Sequence, residues 1–375
     1  MFRPPFCPHR HCQAHHHRPR TRWWVRRGVY HTELFGTVRR FRCRLCGRGF
    51  SEQTFSIDYY AKRRLDYDEL IGLQASCAGV RQIARHLGVS CGTVENKTMR
   101  FARQALGAHA AILDRLAVAE DLCADGLQSY WVSQYVPNNF TVLAGSHSRF
   151  LYWWNAASLR RGGSMSGAQR RRRAALEKLF CADPAALTHS FTDICDTLCR
   201  LLEHSRKAHL RLDTDSHTAY RRALDGHSGW ALLRRAGRVS HRRTSSRLPR
   251  TAANPLAAVN TIDRQIRIDL AEHVRETVRF ARNPNRSMER FTVWAFAYNY
   301  RKRYLINQPV ADPTTHSEAA GITPASVAAV TRDITRSRRF LSHTPIWGEF
   351  RRIWLRMMER PFAGGQEYLP RYLLA

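Results

Sequence analysis

Four of the ten cysteines in this 375-residue chain fall into two close pairs near its start. Cys7 and Cys12 stand in CPHRHC, and Cys43 and Cys46 in RFRCRLCGRGFS. A Cys-x-x-Cys turn followed by a glycine, here Gly47, presents two thiolates to one cation, and a second pair completes a tetrahedral Zn²⁺ site. The first pair is wider than a two-residue knuckle. His9 or His11 can therefore replace one of its thiolates, with His15, His16 and His17 as spare ligands. The other six cysteines read as structural. Cys195 and Cys199 lie in FTDICDTLCRLLEH, where Phe191, Ile194, Leu198, Leu201 and Leu202 recur at helical spacing, and a thiol on such a face packs as a small apolar group. Cys77, Cys91, Cys123 and Cys181 have no partner in sequence. Without a secretion signal, disulfides are not expected.

A second set of residues suits phosphoryl chemistry. Asp125 ends the short apolar run 122–125, and Asp215 ends the strand-like HLRLDTDSH with Asp213 two residues before it. Asp263 sits in NTIDRQIR near the start of an expected helix, with Arg267 one turn on; Glu272 and Glu276 are the competing acids of that helix. Carboxylates from separate elements can converge on two Mg²⁺ or Mn²⁺ ions about 3.5–4 Å apart, which activate the attacking oxygen and stabilise the leaving one.

The elements that must position these residues follow from periodicity. GVYHTELFGTVRRFRC alternates as short strands do, so 1–56 reads as a zinc ribbon. After a linker-like FSIDYYAKRRLD, the unit VRQIARHLGVSCGTV puts Ile83, Ala84 and Leu87 on one helical face, Gly88 in a turn and Ser90 at the cap of a second helix. This is the pattern of a helix-turn-helix over 57–112, with Thr93, Glu95, Asn96, Lys97 and Arg100 as candidate DNA contacts. Segments 140–144 and 149–154 predict a hairpin, 191–204 a helix, GWALLRR a strand, and TIDRQIRIDLAEHVRETVRFARN one long helix. Strands, hairpin and helices with acids at strand ends suit a mixed α/β layer over 118–305, with a basic insertion about 155–207. From Arg286 the chain reads as helical, with Met288, Phe291, Ala295 and Tyr298 in step. The looser NQPVADPTTHSEAAGI leads to a helical C-terminal region, 306–375, whose last helix aligns Ile346, Phe350, Ile353, Trp354 and Met357. Such a stripe fits core packing or a dimer contact.

Charge narrows the partner. Sixty-one Lys and Arg against 30 Asp and Glu give +31, distributed along the whole chain, and a polyanion such as nucleic acid is the partner this favours. No run of about 18 apolar residues is present, so no membrane partner is expected and the chain reads as soluble and cytoplasmic. No P-loop, dinucleotide fingerprint or nucleophile elbow occurs, so nothing in the sequence supports nucleotide hydrolysis or acyl transfer.

Taken in order, these parts resemble the bacterial insertion-sequence transposases of the DDE type. The resemblance spans nearly the whole chain. It rests on RFRCRLCGRGFSEQTF, VRQIARHLGVSCGTV, ADGLQSYWVSQYVPNN, TDSHTAYRRAL, and NPLAAVNTIDRQIR followed by RETVRFARN. It implies a multidomain α/β protein: zinc ribbon, helix-turn-helix, ribonuclease H-like catalytic domain and helical tail. It implies structural Zn²⁺ on Cys7, Cys12, Cys43 and Cys46, and catalytic Mg²⁺ or Mn²⁺ on Asp125, Asp215 and Asp263. The activity implied is binding of terminal inverted repeats in double-stranded DNA, then strand cleavage and transfer to a target, by a homo-oligomer at the nucleoid. One departure matters: Asn260-Thr-Ile-Asp263 matches the family's Asn-x-x-Glu with the shorter Asp in place of Glu. An alignment anchored on RETVRF puts Asn260 at the acid position, leaving the copy without catalysis or giving the role to Glu272 or Glu276. By the same resemblance, 160–178 is an insertion that follows the DNA backbone or stays a mobile basic loop. The rivals are a DNA-binding regulator or decayed copy without chemistry, and a nuclease of similar fold that cuts without joining.

Overall fold

The computed structural model describes residues 2–17, 19–245, 247–274, 279–307, 309, 311–363 and 367. A mixed α/β architecture emerges, with two separate sheets and helices around the larger one.

The first sheet is antiparallel, in the order β1 (Trp24–Thr32), β2 (Gly36–Cys43) and β3 (Gly49–Ser51). Gly36, at φ +62°, closes the β1–β2 hairpin in a conformation that favours glycine. Along β2, Phe41 and Cys43 are buried on one face, while Arg40 and Arg42 are exposed on the other. A one-turn helix, α1 (Gln13–His16), lies beside the sheet. Cys7, Cys12, Trp23, Phe41, Cys43, Phe50 and Phe55 form a small core that Phe340 joins from the far end of the chain. The segment read as a linker is instead packed. Ile57 and Tyr59 are buried, and Asp58 pairs with Lys97 at 2.5 Å.

Three helices follow: α2 (Tyr67–Gln74), α3 (Val80–His86) and α4 (Cys91–Leu113). Gly88, at φ +62°, turns the chain between α3 and α4, and the Ser90 side chain accepts from Thr93 N to cap α4. Ile83 and Ala84 are buried at the crossing. Over its 23 residues α4 runs on from the turn into the main core, where Phe101, Leu106 and Ala110 are fully buried.

The second sheet has the order β6-β5-β4-β7-β8. Strands β4 (Leu122–Tyr130), β5 (Pro137–Gly145) and β6 (Leu151–Ser158) form a meander, in which β5 and β6 are the expected hairpin and β4 extends past the short run 122–125. β7 (Leu210–Asp215) and β8 (Val239–Thr244) add in parallel to β4. Between β6 and β7 lie α5 (Gly167–Glu177) and α6 (Ala186–Leu202); between β7 and β8 lie α7 (Thr218–Gly226) and α8 (Ser228–Arg235). GWALLRR was expected as a strand and is helix α8. Its Trp230 is buried while Leu232 is 64% exposed, and the His227 side chain caps it by accepting from Trp230 N. The strand is the following VSHRRT, an arginine-bearing edge with only Val239 and Thr244 buried.

The long helix expected from Thr261 also ends early. α9 (Ala257–Asp269) stops because its last residues are claimed by tertiary contacts. Asp269 accepts from Trp294 Nε1 at 2.9 Å and from Lys302 at 3.1 Å, and its carbonyl receives Cys77 N. Helix α10 (Pro284–Tyr300) then packs along α4. The C-terminal helices α11 (His316–Ala319), α12 (Pro324–Thr331) and α13 (Gly348–Trp354) fold back on the main core. Phe350 is fully buried, with its ring 3.7 Å from that of Trp153. The expected aromatic stripe is therefore core, except Met357, which is 47% exposed. Among the described residues no helix is long and apolar enough to cross a membrane.

Candidate metal centres and the helical pair

Two backbone turns bring the four N-terminal thiols together. Cys12 N donates to His9 O, and Gly47 N to Cys43 O, with Gly47 at φ +69°. Cys7 N reaches across to Ala14 O. The sulfurs of Cys7 and Cys46 stand 3.7 Å apart, as do those of Cys12 and Cys43, and all four lie within 4.8 Å of one another. A tetrahedron with Zn–S bonds of about 2.3 Å has edges of about 3.8 Å, so the donor set fits a zinc ion. Burial pushes the Cys7 thiol well above its ordinary range, which a bound cation would reverse. This group can hold a metal ion. Among the described residues it is the one set of three or more His, Cys, Asp or Glu drawn together so closely. The candidate histidines are not part of it. His15 is buried one layer out, its ring nitrogens 2.6 Å from Cys7 O and 2.6 Å from Ser342 Oγ. That contact joins the thiol cluster to the C-terminal region.

The aspartates gather on the second sheet. In the parallel β4–β7 ladder Cys123 pairs with Asp213 and Ala124 with Thr214. One step on, Asp125 and Asp215 therefore lie side by side on one face. Helix α9 packs on β4 and β5 and carries Asp263. Burial, then the charge of Asp215, pushes the Asp125 carboxyl up to about 6, against the Gly126 N–H that donates to its Oδ1 at 2.7 Å. Burial, then the charge of Asp125, pushes Asp263 up to about 8. Arg250 offsets part of both shifts. Asp263 Oδ1 is buried with no hydrogen-bond partner. Asp215 Oδ1 accepts from His217 N at 2.8 Å.

Tyr220, buried and stacked on Phe191 at 4.3 Å, feels the charge of all three acids. Its neighbour Asn139 lies against the backbone of Gly126, where any Cβ would collide with the Asn139 amide. The three carboxyls thus share one locus without the tight spacing of the thiols. The orphaned Asp263 oxygen and the mutual repulsion of the acids are features that a cation would relieve.

The competing acids are otherwise engaged. Arg242 grips Asp213 at 2.6 and 2.9 Å, with Arg211 at 3.3 Å. For Glu272 burial opposes ionisation, but Arg290, His273 and Ser287 more than offset it and hold the carboxyl below its ordinary range. Ser287 Oγ donates to it at 2.7 Å and Arg290 Nε at 3.0 Å. Glu276 lies outside the described residues.

The five candidate DNA contacts on α4 divide. Asn96 is exposed, and Thr93 is half-buried beside Ser90. Glu95 is ion-paired to Arg286 at 2.5 Å. Lys97 and Arg100 must be corrected: both are buried and face inward. Lys97 pairs with Asp58, and Arg100 donates to Ile57 O at 2.8 Å while stacking on Tyr59. They fall on the stripe of α4 that packs against 57–67. Three arginines that motif reading passed over lie outside instead. Arg63, Arg81 and Arg85, with Gly88, Ser90 and Thr93, line an open cleft of about 960 Å³ at the start of α4. Their sequence signal was the one-turn spacing of Arg81 and Arg85 on α3.

No family model matches the chain, and no curated protein matches it.

Proposed function

We propose that the protein is a DNA transposase of the DDE type, with a zinc ribbon, a helix-turn-helix and a ribonuclease H-like catalytic fold. The observation that carries this reading is the meeting of Asp125, Asp215 and Asp263 from three elements, with one buried carboxylate oxygen left unpartnered. In this reading, Asp125 and Asp215 on adjacent strands hold Mg²⁺ or Mn²⁺, and Asp263 closes the site from α9. The bound ions supply Lewis-acid activation of the attacking oxygen and stabilise the leaving one. The chain's part is positioning: rigid strands fix two ligands, and Tyr220 and Asn139 pack the wall beside them. Arg250, near Asp125 and Asp263, offers a cation to a scissile phosphate. The cleft of Arg63, Arg81 and Arg85 beside α4 suits a phosphodiester backbone, and the thiol cluster carries structural zinc.

The test is a Mn²⁺-dependent cleavage and joining assay on duplex DNA carrying the gene's own flanks. Asp125→Asn or Asp215→Asn is expected to abolish joining while leaving DNA binding nearly intact; unchanged joining refutes the assignment. A DNA-binding regulator without chemistry is the second reading. The wider spacing of the carboxylates relative to the thiols favours it, and specific binding without any reaction would carry it.

A further inference from the structure

Helix α4 carries two buried arginines one turn apart. Arg100 and Arg103 are 5% and 4% exposed, and their spacing puts them on one face. Arg338 and Arg339 reach the same place from the far end of the chain. These four arginines line a small cavity of about 10 Å³, completed by Tyr59, Gln104 and Trp354. Among the described residues no acid is part of its wall. Buried charges are ordinarily paired, and like charges repel more strongly inside a protein than in water. Four arginines without a carboxylate therefore call for a counter-charge.

Three of the four are held by neutral groups, which orient them without neutralising them. Arg100 donates to Ile57 O at 2.8 Å and to Asn96 Oδ1 at 2.7 Å. Arg100 and Arg338 both stack on the ring of Tyr59, at 4.2 and 4.1 Å from its centroid. Arg339 donates to Val330 O through its side chain and to Gln104 Oε1 through its backbone N–H. Arg103 differs from these. Its Nε donates to Trp354 O at 3.0 Å, but both terminal nitrogens are buried with no hydrogen-bond partner. The acid whose charge reaches Arg103 is Glu289, and Glu289 lies in ion-pair range of Arg356 instead, at 3.0 Å. Burial also pushes the Glu289 carboxyl up to about 7, so it supplies less than a full counter-charge. Burial pushes Arg103 below its ordinary range, and the charges of Arg356 and Arg100 add to the fall.

Size and charge then define a ligand class. The cavity takes one sphere about as large as a water and has no room for a phosphate or an organic acid. A water would accept from the Arg103 fork but bring no charge to the four cations. A monoatomic anion does both.

We propose that this cavity is a binding site for a halide ion such as chloride, held by the unpartnered fork of Arg103 with Arg100, Arg338 and Arg339 around it. The site sits where three parts of the chain meet. Arg338 N donates to Phe55 O at 2.8 Å, and Phe340 belongs to the core around the thiols. Trp354 ends α13. The halide thereby ties α4, the first sheet and the C-terminal region together at one point, whatever chemistry the aspartates perform.

The experiment follows Tm of the full zinc-loaded chain as chloride replaces gluconate at constant ionic strength, with chloride-35 line width as the direct reading of binding. Above the dissociation constant, each tenfold rise in chloride should raise the wild-type Tm by a constant step. Arg103→Met should abolish that response and, in gluconate, melt no lower than the wild type, because an uncompensated buried charge is gone. An equal chloride response in the wild type and Arg103→Met overturns the proposal and leaves only counterions on a basic surface. Equal wild-type Tm and line width in the two salts also overturn it and assign the cavity to water. If Arg103→Met does not fold, Arg339→Met replaces it and should weaken chloride binding about tenfold; unchanged affinity there rules the site out.

Discussion

The thiol cluster and the aspartate cluster are both collected from distant stretches of chain, but the protein holds them in opposite ways. Cys7, Cys12, Cys43 and Cys46 are drawn within 4.8 Å of one another by backbone turns, inside a core of only a few aromatic residues. Asp125, Asp215 and Asp263 stand on the large sheet and on α9, where apolar packing is extensive. In the first region a cation would complete a fold too small to support itself. In the second, apolar packing is extensive and the carboxyls burden it: two are pushed up to about 6 and about 8 by burial and mutual repulsion. The difference teaches that proximity and strain are separate signs of a metal site. Metal removal should therefore have contrary consequences at the two places.

The largest effect is expected from stripping the thiol site. Chelation, or Cys43→Ser, should unfold the first sheet, since structural zinc sites contribute on the order of 10 kcal/mol. Limited proteolysis should then cut within 2–56 while the second sheet stays protected. Protection of both regions would erase the contrast. Next comes Asp125→Asn, which on the proposed reading removes a ligand from a site where cations would supply several kcal/mol of transition-state stabilisation. Joining should fall by about 10³-fold or more, while metal-free stability is kept or rises as a like charge disappears. Gly126→Ala should cost about 1–3 kcal/mol in urea unfolding by driving a methyl into Asn139.

The remaining effect is in pH. Because the folded pKa of Asp263 is raised, its contribution to stability is full below the ordinary carboxyl range and is lost as pH climbs through about 8. Metal-free Tm should therefore decline between pH 5 and 8 by this contribution. Asp263→Asn should flatten that slope, and Mn²⁺ should raise the wild-type Tm most at the alkaline end.

The two regions also differ in how far the sequence revealed them. Cysteine spacing identified the thiol set because two short turns determine most of its geometry, and two apolar runs around GSHS marked the β5–β6 hairpin. The rest depended on distant contacts. GWALLRR is a short apolar run whose periodicity fits strand or helix, and the arginines of VSHRRT hid an edge strand. The end of α9 is set by Trp294 and Lys302 on Asp269, contacts from another helix that no local pattern reports. Lys97 and Arg100 looked like surface cations, yet α4 buries the face that carries them against 57–67. Arg290 on Glu272 and Arg242 on Asp213 decided which acids remain available, and neither pairing is visible in sequence.

The most direct test of the central claim is an electron paramagnetic resonance titration of the zinc-loaded protein with Mn²⁺ at pH 8. Uptake of Mn²⁺ by the wild type, lost in both Asp125→Asn and Asp263→Asn with zinc content unchanged, is the expected result. Equal uptake by the wild type and both variants would contradict a metal site built on these aspartates.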